Sequence, residues 1–169
     1  PRRSDNRRHP ELRTWRDNVP LRGRIKRTTK GTMAMSKEPI HGSCLCGTVT
    51  YETEAEPHNF LYCFCSRCRK KTGSAHASNV FVEGAGFRWL SGEENVGQYA
   101  LPGTNTLTNC FCKTCGSRVP RKTDQGVTIP AGGLDIEPEL LPQKCIYWAD
   151  KPDWYRSVDD LPKVEQSGA

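Results

Sequence analysis

The chain has 169 residues, of which 35% are hydrophobic and nine are cysteine, and its formal net charge is +6. This length is typical of one domain, and the low apolar fraction indicates that core burial alone does not stabilise it. No apolar run is long enough to span a membrane, and the first thirty residues hold no apolar core of a secretory signal. The cysteines therefore favour metal binding in a reducing, cytoplasmic setting over disulfides in a secreted protein.

Positive charge is concentrated at the N-terminus. Residues 1–32 hold eleven Lys or Arg and three Asp or Glu, a balance of +8, so the whole-chain charge of +6 leaves −2 for the remainder. Nucleic-acid binding is therefore not expected of the folded part. We predict a disordered basic extension over residues 1–39, because it shows no sustained periodicity. Met33 and Met35 indicate that the native start lies there, while a transit peptide and a nucleic-acid-binding arm are the competing interpretations.

The first patterned segments predict short strands and one helix. Residues 48–52 alternate polar and apolar side chains, as a strand with one buried face does, and residues 59–63 predict another strand. Residues 66–72 are the best candidate for a short helix, with Ser66 as its N-cap and Gly73 at its end.

The rest of the chain also predicts short strands. Turn signals recur about every ten residues, which is typical of a mostly antiparallel β domain. Strands are predicted at residues 75–83 and 87–90, and a last strand at residues 145–148 follows a short acidic element at residues 134–141. The polar C-terminus is expected to be irregular, and flexible over residues 163–169.

Eight of the nine cysteines fall into three groups. A CxxC turn directs two thiolates to one ion, and Gly116 can supply the positive φ that such a turn needs. The sequence CFCSRC is echoed downstream as CFCKTC, which points to two related metal-binding segments. The groups are Cys44 and Cys46, then Cys63, Cys65 and Cys68, then Cys110, Cys112 and Cys115, with Cys145 alone.

Spacing divides these thiols between two metal sites. A closed zinc site needs four thiolates, and the upstream CxC pair can join the downstream CxxC pair because alternate residues of an extended segment point to one face. This structural site would contain Cys44, Cys46, Cys112 and Cys115. A second zinc would then have three protein ligands and an open fourth position, as a catalytic or ligand-binding zinc does. Its ligands would be Cys63, Cys65 and Cys68.

Three alternatives remain open on spacing alone. Cys110 or Cys145 can complete the second site and make it structural, since Cys110 shares a strand face with Cys112. Eight thiols can form a binuclear cluster, or the CxCxxC motif can hold an iron–sulfur cluster. Cys145 lies among apolar residues and is predicted to be a buried core thiol.

Charged and titratable residues close in sequence to Cys63, Cys65 and Cys68 are further candidates for functional roles. The basic residues after the motif can attract carboxylates, although a solvated helix face is the plainer interpretation. His76 can move a proton, although a lone histidine in a strand is more often structural. No catalytic residue is assigned. The basic residues are Arg67, Arg69, Lys70 and Lys71.

Three motifs in this order carry a family resemblance. They are GSCLCGTV at residues 42–49, CFCSRCRKKTG at residues 63–73 and FCKTCG at residues 111–116. Together they resemble the glutathione-dependent formaldehyde-activating enzyme family, which includes the centromere protein V group. The resemblance covers about residues 40–162, which we take as the zinc-binding domain.

The resemblance implies a fold and an activity. The fold is the β-tent, a mainly β structure of twisted sheet with zinc at its seams, and the same two zinc sites are implied. In the family's namesake the second zinc is associated with glutathione and its formaldehyde adduct, S-hydroxymethylglutathione. The expectation is a zinc-dependent carbon–sulfur lyase with two Zn²⁺ per chain and glutathione, or a related thiol or aldehyde adduct, as substrate. The alternative is a non-catalytic, zinc-stabilised binding module for protein or nucleic-acid partners.

Overall fold

A computed structural model describes residues 38–104 and 108–166. The regular structure in these residues is mainly β, as predicted, with ten strands and one short α-helix. The predicted N-terminal extension lies outside the described residues except for its last two, and so do the final three residues of the predicted flexible end. No helix in the described ranges is both long and apolar enough to cross a membrane.

The strands are short and lie along the whole described region. Helix α1 spans Ser66–Thr72. In chain order the strands are β1 (Ile40–Ser43), β2 (Thr50–Thr53), β3 (Asn59–Cys63), β4 (Ala77–Val82), β5 (Phe87–Ser91), β6 (Val96–Ala100), β7 (Thr108–Cys112), β8 (Arg121–Thr123), β9 (Gly126–Pro130) and β10 (Lys144–Ile146).

These strands form three sheets within the described residues. The strand orders are β1-β2-β5, then β10-β3-β4-β9-β8, and then the hairpin β6-β7. Neighbouring strands are antiparallel throughout, except that β10 runs parallel to β3. The predicted mostly antiparallel arrangement is confirmed.

The first two sheets share an aromatic and aliphatic core. Tyr51 lies at its centre, with ring centroids 5.9 Å from Phe87 and 6.0 Å from Trp89. Its hydroxyl donates to the Gly133 carbonyl at 2.8 Å, so this buried polar group is satisfied. Each such buried side chain stabilises the fold by about 2 kcal/mol. The core comprises Tyr51, Phe60, Val80, Val82, Phe87, Val127 and Ile129.

Helix α1 and strand β3 have the predicted bounds. Gly73 ends the helix with φ +63°, as predicted. The N-cap, however, is Cys65 and not Ser66, because the Cys65 sulfur accepts the N–H of Cys68 at 3.4 Å. The cap of this helix is therefore one of the candidate metal ligands.

Five other elements differ from prediction, and β4 (Ala77–Val82) and β5 (Phe87–Ser91) do so by only one or two residues at their ends. Strand β2 starts at Thr50, because the preceding residues form a turn. Residues 134–141 form no regular element and contribute one bridge, between Leu134 and Gly42. The last strand ends at Ile146, because Tyr147 adopts φ +55° and a 3₁₀ turn follows it.

Gly92 supports the turn that precedes β2, and we expect Gly92→Ala to lower the free energy of unfolding by about 3 kcal/mol. Its φ is +68°, and a Cβ there would collide with the Thr48 carbonyl. Gly103→Ala is the matched control, because Gly103 has φ +73° and open space around it, and should cost about 1 kcal/mol. Chemical denaturation of the zinc-loaded protein measures both, and equal losses would contradict the steric argument.

Candidate metal centres

Four thiols converge at the junction of the first sheet and the β6–β7 hairpin. Their Sγ atoms all lie within 4.8 Å of one another, and no disulfide joins them. Two of the side chains are buried, one is half-buried and one is exposed. We call this set the four-cysteine group: Cys44, Cys46, Cys112 and Cys115.

Cys44 and Cys46 lie in a hydrogen-bonded turn between β1 and β2. The N–H of Cys44 donates to the Val49 carbonyl at 2.9 Å, and the N–H of Gly47 donates to the Cys44 carbonyl at 2.9 Å. Gly47 has φ +75°, a conformation that favours glycine. The argument from an extended CxC segment is therefore wrong, because the turn and not strand alternation brings the two sulfurs to 3.5 Å.

A similar turn follows β7. The N–H of Cys112 donates to the Ser117 carbonyl at 2.9 Å, and the N–H of Gly116 donates to the Cys112 carbonyl at 2.8 Å. Gly116 has φ +75°, so its predicted conformation is confirmed. The Cys112 sulfur lies 3.9 Å from that of Cys46, which is 66 residues away in sequence. The two turns therefore tie distant parts of the chain together.

Each sulfur of the four-cysteine group has a polar neighbour. The Ser117 hydroxyl, 3.4 Å from the Cys115 sulfur, lowers the pKa of Cys115 to about 6, whereas burial raises the pKa of Cys44 to about 11. When the cysteines ionise, such polar groups donate to the thiolates, which stabilises them and orients them for metal binding. The other contacts are Thr48 Oγ1 to Cys46 at 3.2 Å, Val49 N–H to Cys44 at 3.3 Å and Asn95 Nδ2 to Cys112 at 3.3 Å.

The four sulfurs fit a tetrahedral zinc ion. Zinc–sulfur bonds of about 2.3 Å place tetrahedral sulfur ligands about 3.8 Å apart. The two separations of 3.5 and 3.9 Å lie on either side of that value.

Three further thiols converge where β3 runs into α1. Cys63 ends the strand, Cys65 caps the helix and Cys68 lies in its first turn. Their sulfurs lie within 4.8 Å of one another, and we call them the three-cysteine group. Among residues 38–104 and 108–166, no fourth Cys, His, Asp or Glu ligand atom joins them.

Ionising the thiols of the three-cysteine group is unfavourable unless a cation is bound there. Burial raises the pKa of Cys63, and it raises the pKa of Cys68 to about 12. Burial also acts on Cys65, but the Cys68 N–H and the neighbouring sulfurs outweigh it and lower the pKa of Cys65. A bound divalent cation compensates three clustered thiolates, so this donor set also fits zinc.

The two remaining cysteines lie outside both groups. Cys110 shares the buried face of β7 with Cys112 and packs against Val119, and its sulfur belongs to neither group. Cys145 is exposed, so the prediction of a buried core thiol is wrong. The reason is that β10 is the edge strand of its sheet.

The ring nitrogens of His76 do not belong to the three-cysteine group. Its ring stacks on Tyr62 at 4.4 Å and contacts Phe64 at 5.0 Å, and burial lowers the pKa of His76. The next residue, Ala77, packs against Cys63 instead. The contacts with Tyr62 and Phe64 give His76 an aromatic packing role.

The basic residues after the CxCxxC motif divide into two kinds. Arg67 and Lys70 are exposed, as a solvated helix face predicts, whereas Arg69 and Lys71 are half-buried. Lys71 lies close enough to Arg118 for the two charges to interact. Sequence reasoning missed Arg118, because only folding brings this residue, far along the chain, to α1.

The described residues thus define a mainly β protein with two cysteine groups that can bind metal ions. Residues 39–150 match the family model described as glutathione-dependent formaldehyde-activating enzyme, and the chain belongs to that family. A crystal structure of a Rhodobacter sphaeroides protein is 27% identical with a TM-score of 0.50, and the match covers 62% of this chain and 97% of that one. No curated protein matches the sequence.

The two groups should respond differently to loss of one thiol. We expect Cys112→Ser to lose one zinc equivalent and several kcal/mol of unfolding free energy, because the four-cysteine group joins distant segments. Cys65→Ser should lose the other zinc and remain folded, because its group spans only six consecutive residues. Metal analysis and thermal unfolding measure both effects.

Cys145→Ser is the control for these variants, since Cys145 is an exposed thiol outside both groups. It should retain two zinc ions per chain and wild-type stability. If Cys65→Ser and Cys112→Ser unfold to the same extent, the three-cysteine group is structural as well.

Proposed function

We propose that this chain is a zinc-dependent carbon–sulfur lyase that promotes addition of glutathione to formaldehyde, or acts on a related thiol adduct. The observation that carries the proposal is the three-cysteine group. Its three sulfurs converge without a fourth ligand among the described residues, in a chain of the formaldehyde-activating family. This arrangement supports an open coordination position.

The two cysteine groups would serve different purposes. The four-cysteine group has a complete tetrahedral donor set, so zinc there would be structural. The three-cysteine group would hold the second zinc, which when bound lowers the pKa of a coordinated thiol and, with three thiolate donors, favours that thiol over water. Neither Cys110 nor Cys145 belongs to that group.

Aromatic packing fixes the chain between two of the proposed ligands. Phe64 is fully buried, and its ring centroid lies 5.1 Å from Trp148 and 5.2 Å from Tyr155. Its N–H donates to the Ile146 carbonyl at 3.0 Å. Phe64 therefore anchors the backbone beside Cys63 and limits how far the thiols can move, which supports a preorganised site.

The proposed reaction needs a thiolate and a proton. The thiolate sulfur forms a bond to the carbonyl carbon, the π electrons move to the carbonyl oxygen, and that oxygen takes a proton to give the hydroxymethyl adduct. The reverse reaction breaks the carbon–sulfur bond and returns the aldehyde. Cys63, Cys65 and Cys68 would bind the second zinc, and no residue is assigned as the proton donor.

Three broader features belong to the same proposal. We assign the β-tent fold to a zinc-binding domain at residues 40–162.

A cytoplasmic location suits a chain whose nine cysteines are all unpaired, because a reducing compartment keeps thiols reduced. A small-molecule thiol suits a folded region with a net charge of only −2 better than a nucleic acid does.

Exchange spectroscopy with ¹³C-labelled formaldehyde and glutathione tests the activity directly. The zinc-loaded protein should accelerate exchange between formaldehyde and S-hydroxymethylglutathione at least tenfold, a barrier reduction of about 1.4 kcal/mol or more. Cys65→Ser should return the rate to that of the uncatalysed reaction, because it removes a proposed ligand of the second zinc.

Cys145→Ser supplies the matched control and should leave the acceleration intact, since this exposed thiol lies outside the three-cysteine group. No acceleration by the zinc-loaded wild type, or full acceleration by Cys65→Ser, would contradict the proposal.

A further inference from the structure

One member of the four-cysteine group is open to solvent. Among the thiols of the two cysteine groups, all of them in the described part of the chain, Cys46 alone is exposed. Its partners Cys44 and Cys112 have only 3% and 0% of their surface accessible. A reagent that arrives from solvent therefore meets Cys46 first.

The turn between β1 and β2 leaves Cys46 unscreened. Leu45 on one side of it is 78% exposed. Gly47 on the other side has no atom, apart from those of its chain neighbours, within 4 Å of the position that a Cβ would occupy. A small oxidant such as hydrogen peroxide can therefore reach this turn. Cysteines sensitive to oxidation are accessible to solvent and often lie next to a second thiol that completes a disulfide.

Cys44 supplies the second thiol. Its sulfur lies 3.5 Å from the Cys46 sulfur. A disulfide bond is about 2.05 Å long, so the two sulfurs need to approach by about 1.5 Å. Both residues belong to one turn, so their approach requires no movement of one sheet against another. The Cys112 sulfur, 3.9 Å from that of Cys46, belongs to β7, and a bond to it would require the turn and the hairpin to approach.

The thiols outside this turn lack one of the two features. Cys145 is exposed but belongs to neither cysteine group. In the three-cysteine group, Cys63 and Cys68 are buried and Cys65 is half-buried. Cys46 is therefore the thiol that combines exposure with a neighbouring sulfur.

We propose that Cys46 and Cys44 form an oxidation site, at which a peroxide produces a disulfide and destroys the four-cysteine donor set. The pair left over, Cys112 and Cys115, has too few ligands for a tetrahedral zinc, so the ion is released. Loss of the ion removes the tie between the β1–β2 turn and the hairpin, and with it metal-linked folding energy. The inference rests on the structural zinc of the proposed function and not on the lyase activity.

The oxidation proceeds in two steps. The Cys46 sulfur attacks one oxygen of hydrogen peroxide, the O–O bond breaks, and Cys46 becomes a sulfenic acid while hydroxide leaves. The Cys44 sulfur then attacks the Cys46 sulfur, so the S–S bond forms and the S–O bond breaks with loss of a second hydroxide. Two sulfurs together lose two electrons, and the peroxide is reduced to two water molecules. The protons come from the thiols, or from solvent where a metal ion has replaced them.

Disulfide mapping of the zinc-loaded full chain tests the inference. The chain is treated with one equivalent of hydrogen peroxide, its remaining thiols are alkylated, and it is digested with chymotrypsin. Cleavage after Leu45 separates Cys44 from Cys46 unless a disulfide joins them. We expect these two fragments to be joined in the first disulfide that forms. A colorimetric chelator should detect release of one zinc ion per chain in step with that disulfide, and dithiothreitol with added zinc should reverse both changes.

Two variants separate the oxidation site from the other thiols. Cys65→Ser is expected to keep zinc in the four-cysteine group alone, and peroxide should release that ion at the wild-type rate. Cys145→Ser is the matched control, because it removes an exposed thiol that belongs to neither group. It should leave both the rate of zinc release and the identity of the disulfide unchanged.

The outcomes for the oxidation site and for the proposed function are distinct. A first disulfide that joins Cys46 to Cys112 or Cys115, or that forms within the three-cysteine group, would overturn the oxidation site. So would zinc release that precedes the Cys44–Cys46 disulfide. That disulfide in a protein that does not accelerate formaldehyde exchange would keep the oxidation site and refute the proposed function. Acceleration in a protein that forms a different disulfide would do the opposite.

Discussion

Thiols from distant parts of the chain meet without forming disulfides, and this convergence constrains the rest of the structure. Cys46 and Cys112 are 66 residues apart, yet their sulfurs lie 3.9 Å from one another. Burial raises the pKa of Cys44, so ionising that thiol requires a compensating cation. A metal ion bound there would supply that compensation and close a long loop, and it would thereby help a chain with a modest apolar core to hold separate sheets together.

The surroundings of the two cysteine groups differ in a way that matches different purposes. Neutral polar groups such as the Ser117 hydroxyl surround the four-cysteine group, which has a full set of ligands. The three-cysteine group lacks a fourth ligand among the described residues. An incomplete set of thiolate donors suits a further thiol as the fourth ligand. The matching family model is described as glutathione-dependent, and glutathione is such a thiol.

Local sequence signals predicted local structure well. Helix α1 and strand β3 have the predicted bounds. The end of the helix was predictable because its C-cap, Gly73, adopts the left-handed conformation that favours glycine. The CxxC pattern with Gly116 predicted a turn for the same reason. A feature set by tertiary packing was missed: the exposure of Cys145 follows from its position in an edge strand.

The central claim is that one zinc has four cysteine ligands and the other has three with an open position. X-ray absorption at the zinc edge, on the chain loaded with two zinc ions, counts sulfur ligands directly. Four ligands at one site and three at the other predict an average of 3.5 sulfurs per zinc, rising to 4 when glutathione saturates the protein. An average of 4 before thiol is added, or no increase at saturation, would contradict the account.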